Sequence, residues 1–144
     1  PGDGASPAQV MGEMIRAVKF ADEDSWKKLF AGWRAITYDD GHSVLDSSYA
    51  PSSYSLSSEW ERSRQAITGS VYDVRVDKVG RVRRIIKSDP ETNLPSVDEV
   101  TVFLDHYGLF DGEYRTFLNL NVHRRWTLQR LNEGPWKITS VQSI

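Results

Sequence analysis

The densest group of ionisable side chains in the sequence is Tyr38-Asp39-Asp40-Gly41-His42. Two adjacent carboxylates beside an imidazole and a phenol are the parts of a general acid–base site, provided an apolar wall raises one carboxyl pKa toward neutrality. The same five letters also spell a tight turn, since Asp and Gly favour turns for local backbone reasons. Of the three histidines, His42, His106 and His123, none falls in a metal-binding spacing such as His-Glu-x-x-His, so neither metal nor cofactor is expected. The absence of cysteine excludes thiolate nucleophiles, disulfides, cysteine–zinc sites and iron–sulfur clusters.

Strand parity selects a second set. From Tyr114 to Leu131 the even positions Leu118, Leu120, Val122, Trp126 and Leu128 are apolar, whereas the odd positions Asn119, Asn121, His123, Arg125, Thr127 and Gln129 are polar. Alternation makes the even side the core face. Arg124 interrupts that row with a guanidinium that cannot shed its proton and needs an anionic partner if buried. His106 shares a face with Val100, Val102 and Leu104, and Arg84 shares one with Val82 and Ile86. The expected ligand-binding set is therefore Tyr38, Arg84, His106, Arg124 and Trp126, around an apolar-walled cavity suited to a small polar or anionic molecule. The expected catalytic set is Asp39, Asp40 and His106. Two plainer arrangements fit the same letters: Arg124 tied to a nearby carboxylate as a structural pair, or a bulge that shifts the parity and leaves these residues beyond the rim.

The elements that must position these residues are legible in the periodicity. Ser6-Pro7 reads as an N-cap with proline at the first helical position, opening a helix to about Phe20 whose stripe is Val10, Met11, Met14, Ile15 and Val18. Asp22, Glu23 and Asp24 then precede Trp26, Leu29, Phe30 and Trp33, predicting a second amphipathic helix with acidic residues at its N-terminus. Residues 39–58 read as a long irregular connection with at most a short strand. Ser57 or Ser58 caps a third helix that ends near Gly69. Strands come next over 71–76, 79–87, 97–110, 114–131 and 136–144, with hairpin turns at Asp111-Gly112 and Asn132-Glu-Gly-Pro135. Helices first and antiparallel strands afterwards is the α+β pattern.

The chain has 144 residues with 39% hydrophobic and 26% charged, which supports one folded domain rather than disorder or two cores. Eighteen Lys and Arg against 20 Asp and Glu give no global basic field for nucleic acid. No apolar run approaches the roughly 20 residues of a membrane span. The start Pro1-Gly2-Asp3-Gly4-Ala5-Ser6-Pro7 lacks an initiator Met and reads as a chain from which a leader, tether or upstream segment has been removed, so cytoplasmic and exported settings both stay open. Six basic residues between Arg75 and Lys87 face seven acidic ones between Ser88 and Glu113, a pattern expected to pair across neighbouring strands.

Two N-terminal helices with Ala-Asp-Glu-Asp-Ser-Trp-Lys-Lys-Leu-Phe-Ala at their junction, a third helix before the sheet, and a terminal Trp-Thr-Leu-Gln-Arg-Leu-Asn-Glu-Gly-Pro-Trp-Lys-Ile hairpin resemble the nuclear-transport-factor-2-like superfamily. The resemblance implies a cystatin-like cone, in which three N-terminal helices pack in the concave face of a strongly curved antiparallel sheet. Residues 7–144 would form that single domain after a flexible segment 1–6. In ketosteroid-isomerase-like members a carboxylate near this point is the proton-shuttling base, matching Asp39 or Asp40 by position. The first helix here offers Met11, Met14, Ile15 and Val18 in place of their tyrosine, and the penultimate strand offers His123 and Arg124 in place of a protonated carboxyl. Steroid-type isomerisation is not expected, and scytalone-dehydratase chemistry lacks its converging histidine pair. The expected function is small-ligand binding. The alternatives are a lyase or isomerase of the polyketide-cyclase or dehydratase kind, with Asp39 or Asp40 as base and His106 or Tyr38 as partner, and a dimeric assembly module. Sheet-to-sheet packing in the superfamily implies a homodimer through the polar face from Asn119 to Gln129.

Overall fold

A computed structural model of the chain describes residues 4–49, 53–117, 119 and 122–144. Leu118, Leu120 and Asn121 of the parity argument, and the first three residues of the 1–6 segment, lie outside them.

Helix α1 (Pro7–Lys19) begins as its sequence demands. The Ser6 hydroxyl accepts from the Gln9 amide and the Gln9 side chain accepts from the Ser6 amide, a reciprocal capping box with Pro7 at the first turn. Helix α2 (Glu23–Lys27) is capped by Asp22 and is only five residues long. It stops where the backbone is claimed elsewhere: the Leu29 carbonyl accepts from Ile138 N–H, and Ala31 N–H donates to the Ile138 carbonyl. The amphipathic reading through Trp33 is thus cut short by pairing with a sheet edge.

The stretch expected to be irregular with at most a short strand holds one, β2 (Ser43–Asp46), which pairs with an unexpected β1 (Arg34–Thr37) just ahead of it in a two-stranded hairpin. Its alternation is weak because Val44 is largely exposed. Helix α3 (Ser53–Thr68) starts several residues before the Ser57 or Ser58 cap.

The second half is a six-stranded antiparallel sheet of β3 (Asp73–Val79), β4 (Arg83–Ile86), β5 (Val97–Phe110), β6 (Glu113–Phe117), β7 (Arg125–Leu131) and β8 (Lys137–Gln142). The long β5 is its axis, with β3 and β4 on one edge and β7 and β6 on the other. The turn after β5 puts Asp111 and Gly112 at positive φ, the requirement of a two-residue hairpin, and closes on the Phe110–Glu113 pair. The chain is α+β with three helices and a large antiparallel sheet.

The single 18-residue strand expected from Tyr114 to Leu131 is two strands. β6 ends at Phe117 and β7 begins at Arg125, and between them the Asn119 carbonyl accepts from the amides of Val122 and His123. With that break the reason for strong curvature disappears, and the sheet is open, neither closed nor strongly curled.

One core unites Val10, Met11, Met14, Ile15 and Val18 of α1, Trp26 of α2 and Trp60, Ala66 and Ile67 of α3 with Val100, Val102, Leu104, Trp126, Leu128 and Ile138 of the sheet. Trp26, Trp126 and Leu104 are completely buried, and for an aliphatic side chain such burial stabilises by roughly 1.5–3 kcal/mol before opposing entropy. On the other side of the sheet, Gln129 is buried rather than solvated. Its amide donates to the Ala35 carbonyl and the Glu99 carboxylate, and its carbonyl accepts from Ala35 N–H, clamping β1 onto the sheet. Part of the face expected to meet a second copy therefore carries the chain's own hairpin. Among the described residues no helix is long and apolar enough to cross a membrane.

Candidate functional site

On α3, Glu59, Ser63 and Ala66 recur at helical spacing and so share one side of the helix. That side meets the sheet. Arg124, 3% exposed, grips the Glu59 carboxylate with both terminal nitrogens; the Nη2 bond to Oε2 is 2.7 Å. Ser63 adds a hydrogen bond to the same oxygen at 2.9 Å. This two-pronged geometry is the strongest way a guanidinium can hold a carboxylate. The Arg124 Nε is buried without a hydrogen-bond partner among the described residues, and the guanidinium carbon lies 5.0 Å from the Trp126 ring.

One turn farther along α3, the Ala66 carbonyl accepts from His106 Nε2 at 2.9 Å. A carbonyl accepts only from N–H, so Nε2 carries a proton, and the buried Nδ1 has no hydrogen-bond partner among the described residues. His106 is fully buried and stacks 6.0 Å from Phe117. His123, on the adjoining turn, places Nδ1 3.3 Å from the Leu104 carbonyl and 3.9 Å from Asp105.

Beside this cluster lies a cavity of about 270 Å³, whose walls include Phe30, Leu56 and Val141 with Arg34, Tyr49 and Glu59. Glu59 thus joins the Arg124 pair to the cavity wall. Arg34 lies 4.2 Å over the Tyr49 ring, forms no ion pair among the described residues, and has its Nε buried without a partner. Since Arg124 neutralises Glu59, the wall carries one unanswered positive charge. That setting suits an apolar body bearing an anionic or hydrogen-bond-accepting group.

Of the residues singled out in the sequence, Arg124, Trp126 and His106 are buried along α3 and its sheet face. Arg84 is not with them. A register shift separates Arg84 from Ile86, so the two do not share a face, and the Arg84 side chain is 45% exposed. It bonds Asp98 at 3.0 Å and Glu133 at 3.2 Å.

Tyr38, Asp39, Asp40 and His42 occupy the exposed turn between β1 and β2, where Gly41 has φ of 90°. The Asp40 carboxylate accepts from the His42 amide and contacts its ring, and these two interactions hold its pKa below the usual range. A depressed carboxyl is a poor proton acceptor near neutrality. The structure does not bring these residues to His106 or Arg124.

No protein-family model matches the chain, and no curated protein or solved structure is significantly similar to it. Among the described residues no three His, Asp or Glu side chains converge as metal ligands.

The residue of this cluster that sequence reasoning missed is Glu59. Its signal was present: a buried Arg124 requires a carboxylate, and Glu59 sits four residues before Ser63 in the stripe that includes Ala66 and Ile67.

Proposed function

We propose that the chain is a small-ligand-binding domain of the nuclear-transport-factor-2-like kind, its helices covering one face of an open sheet. The cavity beside Glu59 takes a compact molecule with an apolar body and one anionic or accepting group. The observation that carries this reading is the joining of the buried Glu59–Arg124 pair to an apolar-walled space with the unpaired Arg34 at its side. The element order of three helices ahead of an antiparallel sheet, with bulges after Val76 and Thr127, supports the superfamily reading.

Calorimetric titration with naphthalene-2-sulfonate tests it, with 2-naphthol as the uncharged control. Leu56→Trp, which fills the cavity, abolishes binding. Arg34→Leu weakens the sulfonate roughly tenfold, as expected for losing one charge-assisted contact, and leaves the naphthol nearly unchanged. Undiminished sulfonate binding by a folded Leu56→Trp protein sinks the reading.

A further inference from the structure

The opposite side of the sheet carries a second cavity, of about 420 Å³, between β1 and the outward side chains of β5, β7 and β8. Its lining is almost wholly polar. Thr101 pairs in register with Thr127, and Thr127 with Ser140, so three hydroxyls form a row across three strands at the strand spacing of about 4.8 Å. None of the three hydroxyls has a protein hydrogen bond among the described residues. Arg34, Arg83 and Arg125 border the same space. Its one carboxylate, Glu99, is already answered by Arg83 at 2.8 Å and by the Gln129 amide at 2.8 Å. Arg34 and Arg125 have no ion-pair partner among the described residues, which leaves the groove with two uncompensated guanidinium groups.

Hydroxyls both donate and accept, matching the hydroxyls of a sugar or polyol, whereas guanidinium forks match phosphate or carboxylate. The volume lies within the range of small-molecule sites. We propose that this outer groove binds a hydroxyl-rich small molecule bearing two anionic groups, of the class of phosphorylated sugar acids. The hydroxyl row holds its chain, and Arg34 and Arg125 hold its charges. The groove and the inner cavity meet at Arg34, Thr139, Ser140 and Gln142, which border both, whereas Thr101, Arg125 and Thr127 border the outer space and not the inner one.

The test is calorimetric titration at low ionic strength with 6-phosphogluconate, with inorganic phosphate and glucitol as single-feature controls. The expected result is binding at least about tenfold tighter than either control, and weakened by added salt. Arg125→Ala and Thr127→Val each reduce affinity roughly tenfold, Arg125→Lys reduces it less, and Leu56→Trp leaves it unchanged. Circular dichroism confirms that each variant is folded. The proposal is overturned by absent binding in the millimolar range, by inorganic phosphate binding as tightly, or by indifference to both groove variants. Loss of binding in Leu56→Trp overturns it too, because the probe then occupies the inner cavity.

Discussion

Glu59 and Asp98 are both carboxylates held by arginine in largely buried surroundings, yet they solve the problem differently. Glu59 has a single cation, Arg124, which is 3% exposed and has no solvent to fall back on. Asp98 on β5 is shared by Arg84 and Arg130 at 3.0 and 2.9 Å, and those side chains are 45% and 27% exposed. In the first cluster the buried Arg124 has Glu59 as its one anionic partner among the described residues, whereas in the second the arginines can rehydrate when the carboxylate is lost. A mutually dependent pair is costly to break but cheap to replace as a unit, and the shared cluster behaves in the opposite way.

Arg124→Met therefore produces the largest effect, a loss of about 3–5 kcal/mol read from urea denaturation, because the largely buried Glu59 is left without its cation. The double variant Glu59→Met with Arg124→Met recovers most of that loss. Equal destabilisation by the single and double variants shows instead that packing volume, not charge dependence, governs the region, and the contrast with Asp98 collapses.

Asp98→Asn is expected to cost less, about 1–3 kcal/mol, since the amide keeps the volume and both arginines reach water. Its pH dependence sharpens the contrast. Burial pushes the Asp98 carboxyl up, but the hydrogen bonds and charges of Arg84 and Arg130 together outweigh it and hold the pKa below its ordinary value. A depressed folded-state pKa stabilises fully above the unfolded value of about 4, and that contribution is lost as pH falls through the folded value. Thermal melts of wild type and Asp98→Asn should thus diverge at neutral pH and converge on acidification. A gap that widens toward acid contradicts this account.

The same contrast explains how far the sequence can be read. Cross-strand charge pairing was legible because register partners such as Arg83–Glu99 and Arg84–Asp98 are fixed by neighbouring strands whose basic and acidic runs are visible in one dimension. The α1 cap and the full extent of β5 were legible for similar local reasons. Arg124 is buried, as the even row with Trp126 and Leu128 suggested, although it precedes β7 and the continuous strand that the parity assumed is broken ahead of it. The partner of Arg124 was not legible, because Glu59 is 65 residues away and only the crossing of α3 over the sheet brings them together. Arg84 misled because one bulge inverts alternation. Helix α2 ended early because the sheet edge at Ile138 outcompetes the six further residues of helical pattern to Trp33, a tertiary contact no local propensity encodes.

The acidic turn supplies the smallest expected effect and the strictest control on the comparison. Asp39 and Asp40 are carboxylates without any buried arginine, and Asp40 satisfies itself locally through His42. If the chemistry of the chain resides where charge is buried, Asp39→Asn with Asp40→Asn should leave naphthalene-2-sulfonate and 6-phosphogluconate affinities unchanged within error. The only expected signature is local: in wild type, an NMR titration places the Asp40 carboxyl below the usual carboxylate range, and in the variant the His42 amide resonance loses its acid-dependent shift. A marked loss of binding of either probe would move the functional site to the β1–β2 turn, since solvent already screens that turn from every other charge in the molecule.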